Sequence, residues 1–257
     1  KKLKTVDVLV GGFPCQAFSV AGYRKGFKDP RGNLFFEIAR FIDGLKAKPK
    51  ALMLENVKNL SRHDNGRTQK IIKQILKDLG YFVHWKVYNT FKYTNIPQNR
   101  ERTIITCFRN KRRYSNFLNN PIENISSIKP VAAMLENKKI DDKYYYFQDS
   151  QYYQIFKKQI TKRNTLYQLR RIYVRENKNN LCPTLTANMG MGGHNVPLLL
   201  DNFGIRQLTP KECFNFQGFN GVKFPKEVPN TQLYKQAGNS VTIPLIKKIA
   251  IKIKSSI

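Results

Sequence analysis

The sequence predicts an α/β fold in which a parallel sheet carries crossover helices, together with a smaller irregular unit. Short apolar runs alternate with helix-period segments up to about residue 110. The pattern then breaks into polar, aromatic sequence up to about residue 204, and regular signals return after it. With 257 residues and 41% hydrophobic residues, the chain can bury a sizeable core.

The elements of the predicted sheet follow one another in the first half of the chain. Apolar or alternating runs predict strands at 6–10, 51–54, 83–87 and 103–108. Two segments with apolar residues at helical spacing lie between these runs, and Gly80 closes the second as a C-cap. Their apolar positions are Leu34, Ile38, Phe41, Ile42 and Leu45 in the first, and Ile71, Ile72, Ile75, Leu76 and Leu79 in the second.

Two helices are predicted near the end of the chain. Thr209, Pro210 and Glu212 form a capping-box pattern with proline at the first helical position, so a helix is expected to start there. A last helix is expected to start near Val241, with the segment 236–241 (Gln-Ala-Gly-Asn-Ser-Val) opening it. Glycine, asparagine and serine at a helix N-terminus would form a cap and an anion cradle.

The charge balance restricts the function classes. Lys and Arg number 46 against 17 Asp and Glu, a net charge of +29, which excludes an acidic solvating protein and favours a polyanionic partner. The apolar runs are too short to span a membrane, and Asp7 interrupts the only stretch resembling a signal peptide, so we expect a cytoplasmic protein. The four cysteines form no C-x-x-C pair, which predicts neither a zinc site nor a disulfide framework.

Residues able to do chemistry follow three of the predicted strands. Cys15 stands in a Phe-Pro-Cys-Gln loop after the first strand, where parallel sheets place ligands and where a thiolate can act as a nucleophile. Glu55 follows the second strand, so it can approach Cys15 and exchange a proton with a bound ring, although a helix-capping or solvated role is the favoured interpretation of an isolated Glu. Arg100 and Arg102 precede the fourth strand. Their side chains could hold a ring edge or a phosphate in a fork, or they could form an ion-paired strand start with Glu101.

The order of these motifs is specific where each alone is weak. Phe-Pro-Cys-Gln, Glu-Asn-Val, Gln-x-Arg-x-Arg, a variable region, Arg-x-Leu-Thr-x-x-Glu-Cys, Gln-Gly-Phe and Gly-Asn-Ser-Val follow one another from Val8 to about Ile249. This series resembles the DNA cytosine-5 methyltransferase family, of the bacterial restriction-modification type. The resemblance implies a Rossmann-like S-adenosylmethionine-dependent methyltransferase sheet with a small target-recognition domain. The implied domains are 1–110 (catalytic, with its loop at 13–32), 111–204 (target recognition) and 205–257 (return to the catalytic domain).

The resemblance also implies a mechanism and a role for each residue. Cys15 would add to C6 of a cytosine flipped out of double-stranded DNA, and C5 would then take a methyl group from S-adenosyl-L-methionine, without a metal. Glu55 would hold the N3 and N4 edge of the ring, Arg102 the O2 side, and Arg100 would support the pocket. Residues implied in cofactor binding are Pro14, Asn239, Ser240 and Val241. Residues implied in DNA binding are Gln16, Arg24, Lys25 and Arg31 in the catalytic loop, and Gln168, Arg170, Arg171, Arg175, Thr184 and Leu185 in two recognition loops.

The chain departs from the family in one respect. Relatives carry a Phe-x-Gly-x-Gly loop and an acidic residue upstream of the Pro-Cys-Gln strand, and no such loop occurs here. We therefore expect a sheet incomplete at its N-terminal side and a chain that needs an N-terminal part, fused, on a separate polypeptide or lost. Two other functions remain open: an RNA (tRNA) cytosine-5 methyltransferase and a non-catalytic DNA-binding remnant. Gln168 stands where some relatives fill the hole left by the flipped base.

Overall fold

The computed structural model describes residues 5–13, 34–177, 179–191 and 195–257. Two compact units divide the chain, one of Lys1–Tyr88, Glu101–Ile122 and Lys248–Ile257, the other of Asn89–Arg100 and Glu123–Lys247. No helix in the described ranges is long and apolar enough to cross a membrane.

The first unit contains a four-stranded sheet. Its strands are β1 (Val8–Gly12), β2 (Ala51–Val57), β3 (Phe82–Asn89) and β4 (Glu101–Phe108), in the spatial order β1-β2-β4-β3. All four predicted strands are confirmed, but the prediction of a parallel sheet is wrong. Strand β1 runs parallel to β2, whereas β2 runs antiparallel to β4. An apolar run indicates a strand buried on both faces and carries no information about its direction, so the sequence could not show the mixed sheet.

Two helices pack on this sheet. They are α1 (Leu34–Asp43) and α2 (Arg67–Asp78), and their buried side chains join those of β2 and β4 in one core. Gly80 adopts φ +86° just after α2, which confirms the predicted C-cap. In α1 the core positions are Phe35, Phe36, Ala39 and Ile42. The predicted core positions Leu34 and Phe41 are instead 54% and 41% exposed.

The helices α3 (Thr90–Tyr93) and α4 (Lys111–Asn119) flank β4 in the chain, and α5 (Tyr153–Gln159) follows. The region expected to be irregular contains a second sheet, in the order β6-β5-β7-β8 with antiparallel neighbours. Its strands are β5 (Tyr167–Arg170), β6 (Tyr173–Glu176), β7 (Leu198–Leu200) and β8 (Ile205–Gln207). Strands of three or four residues are too short for a clear alternation in the sequence, which is why they were not predicted.

The second unit ends in helices α6 (Pro210–Asn215) and α7 (Asn230–Asn239), and α8 (Ile243–Ser256) follows. The Thr209–Glu212 capping box is confirmed. The prediction that the Gly-Asn-Ser segment opens the last helix is wrong, because Gly238 and Asn239 form the last turn of α7 and Ser240 is its C-cap. Glycine and asparagine also mark helix C-termini, so the composition fits both positions.

Candidate functional site

The parallel pair β1 and β2 brings Glu55 to the end of β1. Gly12 is the register partner of Glu55, and the Phe13 amide donates to the Glu55 carbonyl at 3.4 Å. A Cβ on Gly12 would stand 3.4 Å from Glu55 Oε2, so the carboxylate lies against the glycine. Asn56, which is 2% exposed, donates from Nδ2 to the Phe13 carbonyl at 2.7 Å. This buried hydrogen bond fixes the backbone one residue before Pro14.

Six predicted site residues lie outside the described residues. They are Pro14, Cys15, Gln16, Arg24, Lys25 and Arg31. The other three cysteines, Cys107, Cys182 and Cys213, are buried, and burial raises the pKa of each thiol. A buried thiol with a raised pKa is a poor nucleophile, because the reactive species is the thiolate.

Glu55 forms an ion pair with Arg102. Glu55 Oε1 and Arg102 Nε are 2.9 Å apart, and the two side chains are 23% and 15% exposed. Burial lowers the pKa of Arg102, while the Glu55 carboxylate opposes the shift. Glu101 pairs with Lys58 at 2.6 Å, so the carboxylate partner of Arg102 is Glu55 and not the neighbouring acid. The pair offers carboxylate acceptors beside guanidinium donors, which suits a flat ring with donors and acceptors along one edge.

Arg100 is buried, with 1% of its surface exposed, and its guanidinium donates to three backbone carbonyls. Its Nη1 donates to Leu185 at 2.7 Å, and its Nη2 donates to Gly238 at 3.0 Å and to Ser240 at 2.6 Å. The guanidinium therefore joins the Thr184–Leu185 segment to the C-terminal end of α7. Sequence reasoning assigned Arg100 a supporting role, but it could not identify carbonyl acceptors far away in the chain.

The segment after α7 is held by hydrogen bonds within the second unit. Ser240 Oγ donates to the Ala237 carbonyl at 2.8 Å, whereas Asn239 is exposed. Gln217, fully buried, accepts from Thr242 at 3.1 Å and donates to the Ala237 carbonyl at 2.9 Å. Gln217 was not singled out from the sequence beyond the Gln-Gly-Phe motif, and nothing in its spacing indicates this role.

The β5–β6 hairpin carries several of the residues expected to bind DNA. Gln168 and Arg175 are cross-strand partners, and Gln168 Oε1 accepts from Arg175 at 2.5 Å and from Arg170 at 3.1 Å. Arg171 adopts φ +45° at the turn and is exposed. A polar cavity of about 560 Å³ adjoins the hairpin. It is lined by Asn99, Gln168, Arg170, Arg175, Glu176, Asn177, Asn179, Leu181, Pro183, Thr184, Thr186 and Asn195.

The predicted residues Thr184 and Leu185 differ in exposure. Thr184 is half-buried and donates from Oγ1 to the Asn99 carbonyl at 2.7 Å. Leu185 is 1% exposed and belongs to a core cluster with Cys182, Met189 and Ala237. Leu185 therefore anchors the loop, while Thr184 stands at the cavity.

The Arg-x-Leu-Thr-x-x-Glu-Cys motif forms a buried ionic network. Arg206 and Glu212 are 1% and 0% exposed, and two guanidinium nitrogens each meet one carboxylate oxygen at 2.8 Å. Asp201 accepts from Arg206 Nε at 2.6 Å. Burial alone would lower the pKa of Arg206, but the two carboxylates raise it, so the guanidinium stays charged.

Comparison with solved structures defines the class of fold. The chain is similar to the methyltransferase EhMeth of Entamoeba histolytica, with a TM-score of 0.69 and 17% identity over 97% of this chain and 77% of that one. It is similar to the Dnmt2 methyltransferase of S. pombe, with a TM-score of 0.67 and 14% identity over 97% and 78%. The fold is therefore the one that these methyltransferases share, α/β with a mixed sheet.

Sequence comparison places the chain within one family of that class. The model of the C-5 cytosine-specific DNA methylase family matches residues 1–255, and the chain belongs to this family. It is 52% identical over 252 residues to the type II methyltransferase M.Bsp6I of Bacillus sp. (strain RFL6), covering 97% of this chain and 79% of that protein. It is 39% identical to M1.ScrFI of Lactococcus lactis subsp. cremoris (98% and 63%) and 37% identical to M.HhaI of Haemophilus parahaemolyticus (100% and 78%).

Proposed function

We propose that this chain carries the cytosine-binding half of an enzyme that methylates C5 of a flipped-out cytosine in a specific double-stranded DNA sequence. The observation that carries the proposal is the Glu55–Arg102 pair, which lies at the end of β1. This strand ends at Gly12, three residues before Cys15 in the sequence. The other three cysteines are buried with raised thiol pKa values, which leaves Cys15 as the nucleophile. The net charge of +29 supports a polyanionic substrate.

The proposed reaction passes through a covalent bond between Cys15 and the cytosine. The Cys15 thiolate forms a bond to C6 of the cytosine, which makes C5 electron-rich. Glu55 accepts hydrogen bonds from the N4 amine and the protonated N3, and Arg102 donates to O2, so the pair stabilises the charge that develops on the ring. S-adenosyl-L-methionine, when bound, supplies the methyl group that C5 takes up. Loss of the C5 proton to a base then expels the Cys15 thiolate and restores the ring.

Cofactor binding is assigned to Pro14, Asn239, Ser240 and Val241. The exposed Asn239 side chain next to a fixed Ser240 backbone fits a ligand with polar groups, and Arg100 holds that backbone in place. These residues supply only part of a site, because no glycine-rich loop occurs in the sequence. In the described part, β1 is the edge strand of its sheet, and Val10 on it is 60% exposed. We assign this edge to further strands carrying the glycine-rich loop, in the same polypeptide or a complementing one.

DNA contacts are assigned to the catalytic loop and to the target-recognition residues within 111–204. The segment 151–182 holds eight basic residues against one acid, Glu176. Arginine and lysine side chains bind the phosphate backbone, and exposed hairpin residues read base edges. As a restriction-modification type of enzyme, the protein would act on DNA in the bacterial cytoplasm.

The test is methyl transfer from radiolabelled S-adenosylmethionine to duplex DNA. We expect transfer by the chain completed with an N-terminal part from a relative such as M.Bsp6I, none by its Cys15→Ser variant, and none by the 257-residue chain alone. Transfer to tRNA but not to DNA would contradict the DNA assignment and favour the RNA methyltransferase. DNA binding that persists without transfer by any completed form would favour the non-catalytic remnant, and transfer by the chain alone would contradict its incompleteness.

A further inference from the structure

Three side chains on one face of the β5–β6 hairpin form a preorganised group. Gln168 and Arg170 are two residues apart in β5, and Arg175 lies opposite Gln168 in β6, so all three project from the same face. The Gln168 Oε1 atom accepts from Nη2 of Arg175 at 2.5 Å and from Nη2 of Arg170 at 3.1 Å. One neutral oxygen therefore holds two guanidinium groups close together.

Neither arginine has a carboxylate partner within the described residues. The nearest acid on the hairpin, Glu176, pairs with Lys162 at 3.1 Å. Two positive charges held together without a counter-ion repel each other, which costs stability in the free protein. A ligand that presents hydrogen-bond acceptors to this face would relieve that repulsion.

We propose, resting on the function above, that Arg175 reads a guanine of the target sequence in the major groove and that Gln168 is the residue that positions it. A two-stranded β-ribbon fits the major groove, and the commonest specific contact there is an arginine bidentate to O6 and N7 of guanine. Binding to Gln168 takes one hydrogen of Nη2, so the second hydrogen of Nη2 and those of Nη1 and Nε remain for the base.

The surroundings of Arg175 favour a base edge over a phosphate. The adjoining cavity of about 560 Å³ is much larger than a phosphate group and is lined by amides and hydroxyls, among them Asn99, Asn177 and Thr184. Such groups offer both donors and acceptors, which a base edge needs and an anion does not. The fixed geometry also means that little side-chain entropy is lost on binding.

Gln168 therefore acts through the arginines. In the free protein its oxygen is engaged with both guanidinium groups, and the side chain is only partly exposed. This role differs from the one the family resemblance implied, in which Gln168 enters the base stack in place of the flipped cytosine.

The experiment measures the affinity of the completed enzyme for its methylation site, identified beforehand by bisulfite sequencing, and for duplexes in which each guanine is replaced singly by 7-deazaguanine. This analogue lacks only the N7 acceptor. We expect one position at which the analogue weakens wild-type binding about tenfold, because a charged hydrogen bond is lost. For Arg175→Met, binding to the unmodified site should fall about tenfold to a hundredfold, and 7-deazaguanine at that position should have no further effect, because methionine cannot donate to N7.

Two more variants complete the test. Gln168→Leu should lose most of the discrimination against 7-deazaguanine while the salt dependence of binding stays unchanged. Arg67→Met is the matched control, because Arg67 lies at the start of α2, outside the residues assigned to DNA binding, and does not line the cavity. It should leave affinity and discrimination unchanged.

Several results would overturn the inference. Equal loss on all duplexes for Arg175→Met, with a weaker salt dependence, would identify a phosphate contact. If Gln168→Leu kept the discrimination but lowered the fluorescence of 2-aminopurine at the target position, Gln168 would enter the stack. A wild-type enzyme that methylates a defined site while Arg175→Met discriminates as before would refute the inference alone. A wild type with no preferred sequence would refute the proposed function as well.

Discussion

The residue with the sharpest expected effect is Glu55. Its carboxylate is the ion-pair partner of Arg102 and lies against Gly12 at the end of β1. Glu55→Gln keeps the size of the side chain but removes the negative charge that, in the proposed reaction, would stabilise a protonated ring. We expect methyl transfer to fall about a hundredfold or more, as is typical for loss of a catalytic acid–base group.

Glu101→Gln is the matched control for Glu55. Glu101 is also an acid in an ion pair of this unit, with Lys58 at 2.6 Å, but it lies on the surface. Initial rates for both variants on the same duplex would separate the two positions. Equal rates for Glu55→Gln and the wild type would contradict the assignment of Glu55.

His84 makes the stability of the first unit depend on pH. Burial, together with the positive charges of Lys252, Lys86 and Lys73, lowers its pKa to about 4. An unfolded histidine has a pKa near 6.5, so the unfolded chain takes up the proton first as the pH falls. The free energy of unfolding should therefore decrease from about pH 6.5 down to about pH 4.

Urea unfolding of wild type and His84→Gln between pH 4 and 8 tests this expectation. The variant should lose this part of the pH dependence, whereas His63→Gln, at a histidine bonded to Thr68, should keep it. A pH dependence unchanged by His84→Gln would contradict the account.

Among the elements, the start of α6 combines a helix cap with a buried ion pair. Glu212 completes the capping box with Thr209 and also neutralises the buried Arg206. Removing one member of a buried pair leaves an uncompensated charge, so Glu212→Gln should lower the free energy of unfolding by about 3–5 kcal/mol. Asp142→Asn, in an exposed pair with Lys139, should leave it almost unchanged. Denaturant titration compares the two, and a small effect of Glu212→Gln would be inconsistent with the network.

The packing of α7 depends on a glycine inside the helix. A Cβ on Gly238 would lie 2.1 Å from the backbone carbon of Thr186, so alanine there forces the helix and the 184–190 segment apart. We expect Gly238→Ala to destabilise the protein by about 1–3 kcal/mol, despite the better helix propensity of alanine. Gly44→Ala, whose nearest neighbouring atom would be 3.5 Å away, should be tolerated. Thermal unfolding of both variants measures the difference, and equal melting temperatures would argue against the close packing.

The elements also show what the sequence could and could not predict. Long periodic segments such as α2 and the capped start of α6 were predictable, because burial and capping are local in the sequence. Strand direction was not, since the antiparallel pairing of β2 with β4 depends on the path of the chain between them. The carbonyl partners of Arg100, at Leu185 and Gly238, lie about 85 and 138 residues away, and no local pattern encodes such contacts.

For the whole molecule, family membership and net charge both indicate a polyanionic substrate. The chain belongs to the C-5 cytosine-specific DNA methylase family, and its charge of +29 suits a polyanionic substrate. The first unit carries the Glu55–Arg102 pair, and the second carries the hairpin with Arg170 and Arg175. We propose that Cys15 attacks a cytosine of duplex DNA.

Mass spectrometry of a trapped complex tests whether Cys15 forms the covalent bond to the cytosine. The completed enzyme would be incubated with S-adenosylmethionine and a duplex carrying 5-fluorocytosine at the target position, since fluorine at C5 prevents release of the covalent intermediate. We expect a DNA adduct on the peptide that contains Cys15, and no adduct with the Cys15→Ser variant. An adduct on another residue, or methylation of unmodified duplex by the Cys15→Ser variant, would contradict it.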